Sequence, residues 1–203
     1  MEKIDYSFAR TDNLSVSYLK ISVDNYIEFV TKKGKLKKDD ESLNEFESAE
    51  IFEKNRIIIN EMGENFVISV IFLSMFLESY IYDFSARNKG DSYTSKYLDK
   101  LDTVSKWIII PKIISGVEID KSRKSFEMLR NLISTRNKLI HWKSKKFNSS
   151  ELIKNRDKEI YDLINLKEIF IAIKDLFNQL DNGQERKIHN FFLEYIDRQK
   201  ICE

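Results

Sequence analysis

Three polar residues in the second half of the chain could together bind an anion and move a proton. They are Arg136, Asn137 and His141. A guanidinium holds an anionic group bidentately through its planar fork of N–H donors. Histidine is the side chain whose charge ordinarily changes near neutral pH, which suits it to general acid or base catalysis. These residue types indicate acid–base chemistry at an anionic group.

A single amphipathic helix, predicted from about Asp120 to Trp142, must position these residues. Each residue turns an α-helix by about 100°. Two apolar rows then run along it, Phe126, Leu129, Ile133 and Ile140 in one and Met128, Leu132 and Leu139 in the other. Arg136 falls between the rows, so its guanidinium points into packing and needs an anion or several acceptors. Asn137 and His141 lie four residues apart on one edge of the apolar surface.

Basic residues are concentrated around this helix. Arg123 and Arg130 share the edge with Asn137 and His141, which predicts one polar stripe. From Asp120 to Ser150, nine Lys and Arg oppose two acids, so the segment carries +7 and the rest of the chain −6, within a net charge of +1. Such a patch can attract a phosphate backbone even on a nearly neutral protein. The lysines of the run 143–146 could equally be explained by their favourable interaction with the negative C-terminal end of the helix dipole. That interaction does not explain Arg123 or Arg130.

The string Arg136-Asn137-Lys138-Leu139-Ile140-His141 resembles the signature of the HEPN superfamily. That signature is an arginine followed a few residues later by a histidine, often with a polar residue directly after the arginine. The resemblance is concentrated in about Ser69–Lys146. It implies a small all-α fold and a metal-independent endoribonuclease of toxin or antiphage-defence type.

The resemblance also implies a role for each residue. His141 would take the proton of the RNA 2′-OH, Arg136 would hold the charge of the phosphorane, and Asn137 would orient the histidine or the phosphate. The product would be a 2′,3′-cyclic phosphate. Neither a metal nor a cofactor is expected, because RNA carries its own nucleophile and no carboxylate or histidine cluster has metal-ligand spacing. The candidate RNA-binding residues are Arg123, Arg130, Lys138 and Lys143.

Glu78 is the candidate supporting residue. It interrupts a strongly apolar run, and a buried carboxylate is costly unless it finds a partner. We therefore expect Glu78 to pair with Arg136. A purely structural ion pair between core helices is an equally weighted alternative.

The proposed chemistry predicts a homodimer. Cleavage of RNA by acid and base usually needs two proton-transfer groups. The only other histidine in the sequence, His189, lies in another predicted helix, and we interpret it as a structural residue. A two-fold dimer would bring a second His141 beside the first and form one composite cleft. HEPN proteins resemble this arrangement. The expected partners are RNA, a second copy, and an antitoxin or larger defence complex, with no membrane.

Two other functions stay open. A non-catalytic HEPN module could bind RNA or nucleotide, or dock onto a partner such as a nucleotidyltransferase. A structural helical bundle could carry the Arg136–His141 string by accident. The paired Arg and His favour catalysis, because binding alone needs a cation and not a spaced histidine.

Composition predicts an all-α fold. Five glycines and one proline in 203 residues are too few for the turns of an all-β sandwich. We expect an up-and-down bundle of about five to seven helices in a single HEPN-like domain, 1–203, with 1–41 as an N-terminal helical extension and linker. Phe66–Leu77 is too short for a membrane span and reads as a core helix. The single cysteine, Cys202, and the lack of a signal-peptide core predict a reducing, cytoplasmic setting.

Periodicity and breaker residues predict the helix boundaries. A helix is expected to end near Gly63, and Pro111 is expected to break or kink the run Ile108–Ile114. The run Ile108–Ile110 could alternatively be a strand, but no second strand is evident. The predicted helices are about 13–30, 42–62, 64–88, 92–107, 120–142, 158–180 and 184–199, with a turn at 181–183.

Overall fold

The computed structural model describes residues 7–36, 45–141, 163–180 and 193–197, and all regular structure in these ranges is helical. The helices are α1 (Ser7–Lys33), α2 (Glu45–Lys89), α3 (Asp91–Tyr93, continued by a π-helical turn, Thr94–Leu98), α4 (Thr103–Ser115), α5 (Lys124–Ile140) and α6 (Leu166–Leu180). Residues 193–197 are also helical. The predicted all-α class is confirmed, whereas the parts of the predicted helices at 42–44, 142, 158–162, 184–192 and 198–199, and the predicted turn at 181–183, lie outside the described residues.

Helix α1 runs antiparallel to α2 and belongs to the core. The Ser22 hydroxyl donates to the Ser69 carbonyl oxygen at 2.9 Å, and the Asn65 amide donates to Asn25 Oδ1 at 3.0 Å. The buried apolar residues of α1 are Leu19, Val23, Tyr26 and Phe29. The helix expected within residues 1–41 is therefore α1, and it pairs with α2.

Helix α2 is continuous where two helices were expected, so the predicted break near Gly63 is wrong. A glycine inside a helix costs about 1 kcal/mol relative to alanine. Met62 and Phe66, on either side of Gly63, are buried in the core. Burying large apolar side chains stabilises by about 1.5–3 kcal/mol each, which exceeds the glycine cost.

The second half of α2 lies in the core of the bundle. Its buried side chains include Phe66, Val70, Leu73, Phe76, Leu77 and Tyr80, so the core helix predicted at Phe66–Leu77 is confirmed. By length and composition alone, the part of α2 from Phe46 to Lys89 is apolar enough to cross a membrane, although half of its most apolar window is buried inside the molecule.

Helix α4 passes through Pro111, so the predicted break is wrong. Trp107, Ile110 and Pro111 are all buried, and the Trp107 indole donates to the Leu77 carbonyl oxygen at 3.2 Å. This packing keeps the helix continuous through the residue that lacks a backbone donor. The helix ends at Gly116, whose φ of +69° lies in the left-handed region that glycine favours.

Helix α5 packs against α2 and α6 through the apolar rows seen in the sequence. Its buried apolar residues are Phe126, Met128, Leu129 and Leu132, while Ile133 and Leu139 are half-buried. Ile140, at the end of the helix, is 48% exposed. The helix begins at Lys124 and ends at Ile140, so the predicted motif straddles the end of α5.

Candidate nucleic-acid site at the C-terminal end of α5

The Arg136 guanidinium is half-buried and only partly satisfied. Its Nη1 donates to Asn137 Oδ1 at 3.1 Å. Its Nε is buried and has no hydrogen-bond acceptor in the described part of the chain. No described carboxylate pairs with it within 4.0 Å. The charge of Arg136 is therefore not neutralised by any described carboxylate, and the outer Nη donors are the ones that a ligand could reach.

An open groove runs along the exposed face of the same helix. Its volume is about 780 Å³, and it is lined by Asp102, Val104, Arg130, Asn131, Ile133, Ser134, Asn137 and Lys138. The structure thus brings together three of the sequence-predicted residues, Arg130, Asn137 and Lys138. Neither Arg130 nor Lys138 has a carboxylate partner among the described residues.

The wall opposite α5 carries one negative charge. Asp102 caps α4, accepting from the Ser105 backbone N–H at 3.0 Å and from the Ser105 hydroxyl at 2.5 Å. The Ser105 side-chain hydrogen bond, followed by the backbone one, lowers the pKa of Asp102 below its ordinary value. The carboxylate is therefore ionised at neutral pH, and an anionic ligand must approach along the α5 side.

His141 is the first residue past the helix. Its backbone adopts φ −99° and ψ 26°, and its N–H donates to the Asn137 carbonyl oxygen at 3.0 Å. The side chain is exposed, and its ring has no hydrogen-bond partner among the described residues. The helical bond to Asn137 keeps the histidine one turn beyond Asn137, which lines the groove.

Arg123 lies apart from the groove, so the structure does not form the predicted continuous stripe. It caps the opposite end of α5 with extended backbone angles, φ −73° and ψ 148°. Its Nη1 pairs with Asp175 Oδ1 on α6 at 2.8 Å, and its Nε lies 3.5 Å from Asp120 Oδ2. A guanidinium already held by two carboxylates is a poor phosphate ligand.

Asp175 is the centre of a polar network that sequence reasoning missed. It accepts from the Ser125 hydroxyl at 2.5 Å, from the Gln179 amide at 2.8 Å and from Arg123. Partial burial would raise the pKa of Asp175, but the hydrogen bonds from Ser125, Gln179 and Arg123 outweigh it and leave the pKa below its ordinary value. The spacing of Asp175 and Gln179 marks one polar helix edge, but nothing local identifies Ser125 as the partner.

The predicted pair between Glu78 and Arg136 is wrong. Glu78 Oε1 lies 3.5 Å from Nζ of Lys106, which also lies 3.1 Å from Asp99 Oδ1. The Lys106 side chain is only 3% exposed, whereas that of Glu78 is 40% exposed. The buried charge is therefore the lysine, and the carboxylates at the surface neutralise it. Glu78 serves the α2–α4 packing instead of the Arg136 site.

Some of the predicted residues cannot be placed. Lys143 and His189 lie outside the described residues. Within the described ranges, no three His, Cys, Asp or Glu side chains lie close enough to hold a metal ion.

Comparisons with known proteins identify no relative of this chain. No family model, curated protein or solved structure matches the chain. The resemblance to the HEPN superfamily therefore rests on the Arg136–His141 string and its surroundings alone.

Proposed function

We propose that this protein is a metal-independent endoribonuclease of the HEPN type, acting as a toxin or in antiphage defence. The observation that carries the proposal is the state of Arg136. It is a half-buried guanidinium with one buried N–H lacking an acceptor and no carboxylate partner among the described residues. Because Nε itself is buried, a phosphate oxygen would bind the outer Nη donors of the guanidinium.

The surroundings of Arg136 support a polyanionic ligand over a small one. Arg130 and Lys138 face the adjoining open groove, and no described carboxylate neutralises either of them. An open groove of about 780 Å³ can accommodate part of a strand, and each unpaired cation can replace counterions on one phosphate. The phosphodiester at Arg136 would then lie near His141, which Asn137 links to the helix.

The reaction needs only groups of the RNA and the protein. The imidazole of His141 takes the 2′-OH proton while the 2′-oxygen attacks phosphorus. Arg136 binds the non-bridging oxygens, where charge accumulates in the phosphorane. The bond from phosphorus to the 5′-oxygen breaks, and that oxygen takes a proton from an acid. The products are a 2′,3′-cyclic phosphate and a 5′-hydroxyl end.

A second copy of the chain would supply the acid. A single protomer offers one histidine, one turn beyond the groove, so we propose a homodimer in which His141 of the other copy protonates the leaving oxygen. Ile140 supports a contact here, since it is 48% exposed directly beside His141. Half-buried Ile133 also lines the groove. The proposed localisation is cytoplasmic, where an antitoxin or a larger defence complex would control the activity.

The test is cleavage of mixed-sequence RNA in excess chelator, followed by analysis of the product ends. We expect cyclic phosphate ends from the wild type and at least about 100-fold slower cleavage by Arg136→Ala and by His141→Ala. Arg56→Ala is the matched arginine control, because Arg56 is exposed and paired with Glu53 at 2.6 Å. His189→Ala is the histidine control. Cleavage that depends on added metal, or that survives both site variants, would refute the proposal.

The dimer has its own test. Ile140→Lys should give a monomer by light scattering and lose cleavage, because a charge at an apolar contact is costly. Ile113→Lys is the matched control, since Ile113 on α4 is also exposed, at 43%. Dimers of the Ile140 variant with full activity would contradict the composite cleft.

One observation favours the alternative of a non-catalytic binding module. The ring of His141 has no hydrogen-bond partner among the described residues, whereas a general base is usually oriented by a third group. In this alternative, Arg136, Arg130 and Lys138 bind RNA or nucleotide, which stays intact. The cleavage assay separates the two, because a binding module retains RNA affinity without forming new ends.

A further inference from the structure

Two exposed tyrosines lie with their rings close together on the segment that precedes α4. Tyr93 is 40% exposed and Tyr97 is 56% exposed, with their ring centroids 5.1 Å apart and their planes tilted by 50°. Nζ of Lys96 lies 5.1 Å from the Tyr97 centroid. Lys96 has no carboxylate partner among the described residues. An exposed aromatic pair beside an unpaired cation is a chemistry that binds flat, anionic ligands.

The backbone that presents these rings is held in place. It is a π-helical turn, in which the Asp99 N–H donates to the Thr94 carbonyl oxygen at 2.9 Å. The buried hydroxyl of Thr94 lies 2.9 Å from that of Ser85 on α2, and Leu98 is buried in the core. Such turns often occur at functional sites. A preorganised turn also loses little conformational freedom when a ligand stacks on it.

The turn leads directly into the groove wall. Asp102, which lines the groove, follows Tyr97 by five residues. Consecutive Cα atoms lie about 3.8 Å apart, so the two positions are at most about 19 Å apart. Between them, Asp99 is paired with Lys106 at 3.1 Å, which reduces its repulsion of an approaching phosphate. A nucleic-acid strand of a few nucleotides can therefore contact both places.

We propose that Tyr93 and Tyr97 form a stacking platform for unpaired bases of the RNA strand whose phosphates occupy the α5 groove. The inference rests on the proposed function for the identity of the ligand. Stacking requires a free base face, which a duplex does not offer except at its ends. The platform thus selects single-stranded over double-stranded substrate, while Lys96 contacts a phosphate of the same strand.

The test measures binding of a 2′-O-methyl RNA oligonucleotide, which has no free 2′-OH and stays intact. Fluorescence anisotropy should give at least a fivefold weaker affinity for Tyr93→Ala/Tyr97→Ala, since stacking on one ring contributes about 1–3 kcal/mol per base. Tyr93→Phe/Tyr97→Phe should bind within about twofold of wild type, because the rings remain. Phe46→Ala/Phe52→Ala is the control, as both side chains are exposed aromatics on the N-terminal part of α2. Thermal unfolding checks that every variant folds.

Several outcomes would overturn the inference. Among the variants, these outcomes are an unchanged affinity of the double alanine variant, or a loss of affinity in the double phenylalanine variant equal to that in the double alanine variant. For the wild type, they are equal affinity for duplex and single-stranded RNA, binding of mononucleotides but not of the oligonucleotide, and no RNA binding. The two proposals fail separately. An absence of cleavage with tyrosine-dependent binding counts against the chemistry at His141, whereas cleavage with tyrosine-independent binding counts against the platform.

Discussion

The two ends of α5 carry the same kinds of residue in opposite electrostatic states. At the N-terminal end, Arg123 is paired with Asp175 at 2.8 Å and Lys124 with Glu127 at 3.3 Å. Towards the C-terminal end, Arg130, Arg136 and Lys138 have no carboxylate partner in the described part of the chain. The first end ties α5 to α6, and the second leaves cations available to a ligand.

This difference shows that the net charge of a chain segment does not tell how strongly the segment binds an anion. The segment 120–150 carries +7, which by itself suggests one basic surface. A cation in an ion pair has already exchanged part of its solvation for a fixed partner, so binding phosphate would break that pair. Only the unpaired cations contribute fully to attraction of a polyanion. We therefore expect changes at the N-terminal end to affect stability and changes at the C-terminal end to affect activity.

The largest expected effect is on catalysis. His141→Ala should slow single-turnover cleavage about 10²–10⁴-fold, because the general base is lost while folding is unchanged. Lys124→Ala is the matched change at the other end of the helix and should leave the rate within about twofold. A similar loss in both variants would show that the helix as a whole matters and would remove the distinction between its ends.

The next effect concerns stability. Asp175→Ala should lower the free energy of unfolding by about 1–3 kcal/mol, because Ser125, Gln179 and Arg123 lose their shared acceptor. Urea denaturation measures it, and RNA affinity should stay constant. Glu127→Ala removes an exposed ion pair within one helix and should cost less than about 0.5 kcal/mol. Equal losses would mean that the network adds nothing beyond a surface pair.

A smaller effect is expected on binding. Arg130→Ala should weaken RNA affinity severalfold and reduce the slope of log affinity against log salt by about 0.7, the value for one phosphate contact on a single strand. Arg56→Ala should change neither quantity, because Arg56 is paired with Glu53. An unchanged salt slope in the Arg130 variant would place the RNA elsewhere.

The smallest effect is on acid stability. The folded-state pKa of Asp175 lies below the ordinary value, so its contribution is present above that ordinary value and is lost as pH falls through the lower one. Wild type should therefore lose more stability than Asp175→Asn between about pH 5 and pH 2. Parallel denaturant series at several pH values measure this difference. Identical pH dependence in the two proteins would exclude Asp175 as a source of the acid sensitivity.

The candidate site was partly predictable from the sequence. Helical periodicity placed Arg130 and Asn137 on one edge, and the structure brings them together in one groove with Lys138, a candidate RNA-binding residue. It also placed Arg136 between two apolar rows, where the side chain is half-buried. The same periodicity failed for Arg123, because the helix begins one residue later and the side chain turns to α6.

The sequence determined the all-helical class, the burial of Phe66–Leu77 and the register of α5, because these follow from the geometry of consecutive residues along one helix. Only the tertiary structure decided which charges meet. Asp175 lies 52 residues from Arg123, and Lys106 lies 28 residues from Glu78. It also decided that Gly63 and Pro111 stay inside helices, since core packing outweighs a local propensity of a few kcal/mol. Coulomb and packing energies depend on distances in space, which the order of residues along the chain leaves open.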